Sequence, residues 1–389
     1  MGERPETEVP VEVDDAGLST GVEAEREVEV PDERIVEPFD PAEIDVITRT
    51  TTVSLLLARL RRGVLDLSPD FQRLAGIWNV NSQSKLIESL LLRIPLPTFY
   101  AAEVNDETWA IVDGIQRLST IARFVAPELI DSEPLRLRGL EYLKRYRGFT
   151  YAELPGALQT RIDETELIVH LIRSGTPEPV MFNIFARLNT GGRPLTPQEL
   201  RHALIPGRAR GLLRDLAQSE AFLTATQGSV KPTRMTDREM VLRYLAFRLT
   251  DPADYKGGDL DAFLRSAMRN LSALPESRID DLRQDFFRAM WAAHGVFGGY
   301  EFRKRYRHSP YRLPVNKPLF ETESIALAKF SNSELNVLQA RSGLVEERFF
   351  ELMEDAAFID SISYATGDVA RLRFRFGAVE EMLRGVLAE

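Results

Sequence analysis

Two stretches of this 389-residue chain combine glycine, carboxylate, amide and guanidinium groups at spacings that suit a phosphate ligand. The first is Trp109-Ala-Ile-Val-Asp113-Gly114-Ile115-Gln116-Arg117-Leu-Ser-Thr120. A hydrophobic run ends at a glycine, which permits a tight turn and a close backbone approach, and a helical pattern follows. The unpaired N–H groups and the positive dipole end of a helix start attract anions. Arg117, in the first turn, can add a bidentate fork to the same anion. Asp113 suits a Mg²⁺ ion or a ribose hydroxyl. The same residues also read as a capped helix, with Asp113 as N-cap and Gln116 three residues on as its capping-box partner.

The second stretch runs from Phe182 to Arg201. An amphipathic helix ends at Gly191-Gly192, and a new one opens at Thr196-Pro197 with Glu199 three residues after the cap, a complete capping box. Capping explains Thr196 and Glu199. It leaves Arg187, Asn189, Arg193 and Arg201 gathered around one turn, where guanidinium groups suggest an anion or a solvated charged face. A third stretch, Pro69-Asp70-Phe71-Gln72-Arg73 followed by Trp78 and by Ser84-Lys85-Leu86-Ile87-Glu88-Ser89, reads by itself as a turn and a helix start, with Phe71 and Trp78 as core residues.

The elements that must position these groups follow from periodicity. Helical spacing predicts helices over 53–62, with Gly63 as a C-cap signal, over 82–93, where Ile94-Pro95-Leu96-Pro97 stops the pattern, and over 115–125 and 180–188. Residues 98–104 and 109–112 read as a hairpin about the polar turn 105–107, and 166–172 as a further strand. Beyond Arg201 the pattern is almost wholly helical, with candidates at 207–218, 237–249, 259–271, 279–296, 319–330 and 370–387. The expected organisation is a disordered acidic tail over 1–45, an α+β domain over 46–205 and an all-α domain over 206–389.

The net charge of −10 is unevenly spread. Residues 1–45 hold 16 carboxylates against three arginines, whereas the rest of the chain holds 43 acidic and 46 basic residues. The tail carries the acidity, either as a solubilising extension or as an anionic segment that competes for the body's own basic groups. Cysteine is absent, which removes disulfides, thiolate metal sites and cysteine nucleophiles. No apolar stretch approaches the length of a membrane span, and the acidic start does not read as a secretory signal, so a cytoplasmic protein without a membrane partner is expected. Two basic stretches, Arg201 to Arg214 and Tyr300 to Arg312, interleave cationic with histidine or tyrosine side chains, a mixture that suits nucleic-acid phosphates and bases or a solvated loop.

In this order the motifs resemble the N-terminal domain family of GmrSD-type modification-dependent restriction systems. The resemblance rests on Phe71-Gln72-Arg73 before a Trp, Leu86-Ile87-Glu88-Ser89, Asp113-Gly114-x-Gln116-Arg117-Leu, Phe185-x-Arg187-Leu-Asn189-x-Gly191-Gly192, Leu195, Glu199-x-Arg201, and later Asn316-Lys317-x-Leu319-Phe320-Glu321. It runs from about residue 50 to 330. It implies a ParB/sulfiredoxin-like fold that binds a nucleoside triphosphate with Mg²⁺. Asp113, Gly114, Gln116 and Arg117 would contact phosphates, Asn189 and Glu199 would help coordinate the metal, and Arg73 would stand at the opposite lip. The family usually has Gln where this chain has Ile115, which predicts that binding survives while hydrolysis weakens.

The resulting expectation is a nucleotide-binding sensor or regulatory component of an antiphage restriction system, an NTPase if it is an enzyme, working with DNA and a separate nuclease or defence subunit. No His-Asn-His nuclease arrangement is visible among the four histidines. The alternatives are a metal-dependent DNA endonuclease built on Asp113, Glu199 and Asp70, and a non-catalytic interaction protein with a degenerate pocket.

Overall fold

The computed structural model describes residues 9–14, 17–25, 44–67, 78–104, 107–188, 195–257, 259–307, 309 and 311–389, with the side chains of 186–188 excepted. The chain divides into two units, Ile35–Pro206 and Gly207–Glu389 joined by Met1–Arg34. Two short strands, β1 (Val11–Val13) and β2 (Ser19–Glu23), pair antiparallel and belong to the second of these units.

The first unit is α+β and is built on a mixed five-stranded sheet. Its strands are β3 (Val46–Thr52), β4 (Leu65–Asp66), β5 (Phe99–Glu103), β6 (Trp109–Asp113) and β7 (Glu166–Ile172), in the order β3-β7-β5-β6-β4. β5 and β6 form the expected antiparallel hairpin, and β5 runs parallel to β7. Strand β7, between β3 and β5, reads Glu-Leu-Ile-Val-His-Leu-Ile and buries Leu167, Val169, Leu171 and Ile172. The edge strand β3 is Thr-rich and mostly exposed, so the alternation that marks a strand in sequence is absent there.

Helix α1 (Val53–Arg61) is capped by Thr52, whose side chain accepts from the Leu55 amide. Helix α2 (Val80–Leu91) starts at Asn79, and packing of Leu86, Ile87, Leu90 and Leu91 fixes its inner face. Helix α3 (Ile115–Val125) follows β6 after one glycine. Helices α4 (Gly156–Asp163), α5 (Glu178–Leu188) and α6 (Pro197–Leu204) complete the unit, and α6 packs on β6.

The second unit is helical. It comprises α7 (Ala209–Ala217), α8 (Glu220–Thr226), α9 (Thr236–Leu249), α10 (Leu260–Ala273), α11 (Glu276–Phe297), α12 (Lys317–Lys329), α13 (Asn332–Ala340), α14 (Ser342–Glu354), α15 (Ala356–Ser363) and α16 (Val369–Ala388). Helices α9 and α12 are buried on every side for most of their length, which makes them the centre of the unit. That centre is highly polar. Arg243 on α9 meets Glu239 and Glu321, and Arg375 on α16 meets Glu321 on α12.

Two expectations change here. The acidic N-terminal stretch was expected to lack fixed structure, yet its described residues form β1 and β2. Thr20 and Val22 are buried, and Glu12, Glu23 and Glu25 are ion-paired to Lys317, Lys304 and Arg243. Pairing with buried cations supplies what the stretch lacks in apolar surface. The basic stretch near 300–312 is also not an open cationic loop. Arg303 and Lys304 are buried, Arg305 pairs with Glu346, and Arg307 with Glu347.

Candidate functional site

The corner between β6 and α3 is shaped by Gly114. Its φ is +91°, and a Cβ there would fall 2.4 Å from the Phe99 ring, so only glycine fits. Gly114 itself is the helix N-cap, with no side-chain capping bond. The capping box expected between Asp113 and Gln116 is therefore not formed, because the turn places Asp113 one residue before the cap. Asp113 pairs instead with Arg117 at 2.8 Å.

Arg117 is tied down at this corner. It donates to the carbonyls of Pro97 and Thr98, its guanidinium carbon lies 4.5 Å from the centre of the Phe99 ring, and its side chain is 12% exposed. Burial lowers the guanidinium pKa and the Asp113 charge opposes that shift. The fork expected to reach an anion thus locks the Ile-Pro-Leu-Pro segment to the start of α3. Asp113, 40% exposed, keeps its carboxylate at the surface of the corner.

Gln116 opens a different face. It stands one residue into α3, and Ser119, Thr120 and Arg123 follow it at helical spacing along one wall of a cavity of about 550 Å³. The rest of the lining is Leu60, Leu65, Leu67, Leu129 and Ile130, with Asp66, Gln83, Glu128, Asp131 and Ser132 as further polar groups. Arg123 is held by its bonds to the Glu133 carbonyl and to Gln83 Oε1, and Gln83 is anchored in turn on the Trp78 carbonyl. The Ser119 and Thr120 hydroxyls donate back to the carbonyls of Ile115 and Gln116. Ile115 is only 4% exposed and is not among the residues that line the cavity, so it belongs to the core.

On α6 the capping box is complete: Thr196 Oγ1 accepts from the Glu199 amide, and Glu199 Oε2 accepts from the Thr196 amide. Glu199 and Arg201 are both buried, and Arg201 Nε donates to Gln198 Oε1. The helix that carries them lies against the strand that ends in Asp113. Asp70, Arg73, Asn189 and Arg193 lie outside the described residues, and Arg187 is described only as part of the α5 backbone.

Glu88, from the third stretch, has a structural duty. It is buried on α2, and its carboxylate accepts the backbone N–H groups of Glu141, Tyr142 and Leu143 at 2.7 to 3.0 Å. Desolvation opposes its ionisation, but these three donors outweigh it and hold the carboxyl below its ordinary range.

Residues 53–206 match the model of the GmrSD restriction endonuclease, N-terminal domain. This segment is a GmrSD N-terminal domain. The match ends at Pro206, the last residue of the sheet unit, and so contains the Gly114 corner, the cavity and the α6 cap. The match covers the sheet unit and leaves the helical unit outside it, and it suggests a component of a restriction system. No curated protein and no solved structure matches the chain significantly. Among the described residues, no helix is long and apolar enough to cross a membrane. Gln83, Ser119, Thr120 and Arg123 of the GmrSD domain were absent from the sequence-based candidates. The polar stripe at 116, 119, 120 and 123 was the signal that would have found three of them.

Proposed function

We propose that the GmrSD domain binds a nucleoside triphosphate as its Mg²⁺ complex, in the ParB/sulfiredoxin-like manner its motifs imply, and acts as the nucleotide-dependent sensor of a restriction system. The observation that carries this reading is the 550 Å³ cavity, a volume within the usual range for small-molecule sites, whose polar wall begins at Gln116 of the glycine motif. Leucine and isoleucine side chains of the lining would suit a base, and its amide, hydroxyl and guanidinium groups would suit a sugar and phosphates.

The charge of the cavity favours a metal-complexed form of the ligand over a bare one. Among its described lining residues Arg123 is the single cation, against Asp66, Glu128 and Asp131. A bare triphosphate would be repelled there, and its magnesium complex, with two of its negative charges neutralised, would be repelled less. Asp113, exposed at the corner, has the hard oxygen donor that Mg²⁺ requires, and Glu199 and Asn189 are the partners implied by the motif. Bound there, the ion would neutralise phosphate charge and fix the orientation of the phosphate chain. Gly114 and Arg117 are positioning residues, because they set the angle at which α3 and Gln116 enter the cavity. Arg73, Arg187, Arg193 and Arg201 are the guanidinium groups the motifs would add around the phosphates. DNA and a separate nuclease or defence subunit are the partners such a sensor requires.

Calorimetry with each nucleoside triphosphate, with and without Mg²⁺, tests the proposal. One nucleotide is expected to bind in the presence of Mg²⁺, and Gln116→Ala to weaken it about tenfold, equivalent to about 1.4 kcal/mol. Absence of binding by every nucleotide with Mg²⁺ present ends the reading. Buried Ile115 leaves no side-chain amide at that position to orient an attacking water, so phosphate release during the same titrations is expected to be slow.

A further inference from the structure

The two edges of the five-stranded sheet are unlike. β4 has two residues, too few to template another chain. β3 has seven, Val46–Thr52, without proline, lysine or a break in its register with β7. Its single charged residue is Arg49. The Arg173 amide donates to the Asp45 carbonyl, and from there the antiparallel ladder alternates. The peptide groups of Asp45, Ile47, Arg49 and Thr51 therefore face β7, and those of Val46, Thr48 and Thr50 face outward. Among the described residues no backbone group takes up this outward row. Ile44 and Val46 are exposed beside it. A long edge that lacks the usual blunting devices is a template for a further strand.

The side chains indicate which strand fits. Asp45, Ile47 and Arg49 lie on one face of the extended chain. Arg49 is exposed and meets no carboxylate among the described residues, while Asp45 has a 3.4 Å surface contact with Arg173. When two copies pair antiparallel about a two-fold axis, outward groups must meet outward groups, so the axis passes through a residue and not between two. Near the middle of the strand that residue is Ile47, Thr48 or Arg49. An axis at Arg49 sets the two Arg49 side chains opposite each other, which is destabilising. An axis at Thr48 sets Ile47 against Arg49. An axis at Ile47 sets Ile47 against Ile47 and Asp45 against Arg49 on both sides of it. These fall at the positions of the new ladder without mutual hydrogen bonds, where facing side chains approach most closely.

We infer that β3 is a dimerisation edge, on which a second copy of this chain adds its own β3 antiparallel with the axis at Ile47. The two sheets then become one, and each Asp45 pairs with the Arg49 of the other copy. The inference does not depend on nucleotide binding in the GmrSD domain. A ladder of this length is a small interface, so the dimer forms and dissociates with concentration.

Sedimentation equilibrium of the full chain, from low to high micromolar concentration, tests this. A monomer–dimer equilibrium is expected. Asp45→Lys and Arg49→Glu each set like charges opposite one another twice per dimer, and each is expected to weaken it about tenfold. An equimolar mixture of the two variants restores opposite charges at both places and is expected to regain the wild-type affinity. Thr50→Pro removes one outward amide without touching the β7 ladder and is expected to abolish the dimer. A wild-type chain that stays monomeric throughout overturns the inference. A dimer that survives both charge reversals overturns it too, by placing the interface elsewhere. A mixture no tighter than its components refutes the register. If circular dichroism shows Thr50→Pro unfolded, the mixing experiment decides alone.

Discussion

Gly114 illustrates how a functional motif can act through geometry. A left-handed φ costs an ordinary residue about 1–2 kcal/mol, and here a Cβ would also meet the Phe99 ring on which Arg117 rests. Gly114→Ala is therefore expected to lower the unfolding free energy by about 2 kcal/mol or more, read from urea midpoints. A near-neutral result would show that the corner relaxes easily. Glu88 makes an opposite demand, for charge. Glu88→Gln is expected to cost about 2 kcal/mol at neutral pH, since charge-assisted bonds to three amides are weakened. The folded-state carboxyl is depressed, so this stability is present above the ordinary carboxylate pKa and is lost as pH falls through the folded value. Urea midpoints of the two proteins should therefore converge in acid, and a constant gap would contradict the role assigned to the three amides.

The start of α6 combines a cap with a proposed metal ligand, and substitution separates the two roles. Thr196→Ala removes the acceptor for the Glu199 amide and is expected to cost about 1 kcal/mol. Glu199→Gln keeps an oxygen for the Thr196 amide, so stability should change little, while Mg²⁺-dependent nucleotide binding should fall. If that binding is unchanged, Glu199 serves the helix alone. Element boundaries were legible wherever periodicity was strong. The spacing predicts 115–125 and 166–172, and the structure has α3 at Ile115–Val125 and β7 at Glu166–Ile172. Thr-rich β3, two-residue β4 and the short helices α8 and α13 escaped, because each takes its order from neighbours more than from its own pattern.

At the scale of the whole molecule, the first and last parts of the chain are joined by charge. Lys304 is buried and shares its protons between Glu23 and Ser363, so Glu23→Ala leaves it without its counter-ion. A loss of about 3–5 kcal/mol is expected, as for other broken buried pairs. Hydrogen exchange should show that loss in the helical unit while amides of the five-stranded sheet stay protected. Equal deprotection of both units would mean that they unfold as one.

Local chemistry, written in the order of residues, determined the glycine corner, the capped start of α6 and the succession of an α+β segment by helices. These depend on neighbours within a few positions, where backbone sterics and helical or alternating spacing act directly. Distant partners were decided only by the fold. Nothing near Glu23 announces Lys304, 281 residues away. Nothing near Arg117 announces that its guanidinium closes on the carbonyls of Pro97 and Thr98. Whether a charged side chain faces water, a ligand or a buried counter-ion depends on which surfaces meet, and a one-dimensional pattern carries no record of that meeting.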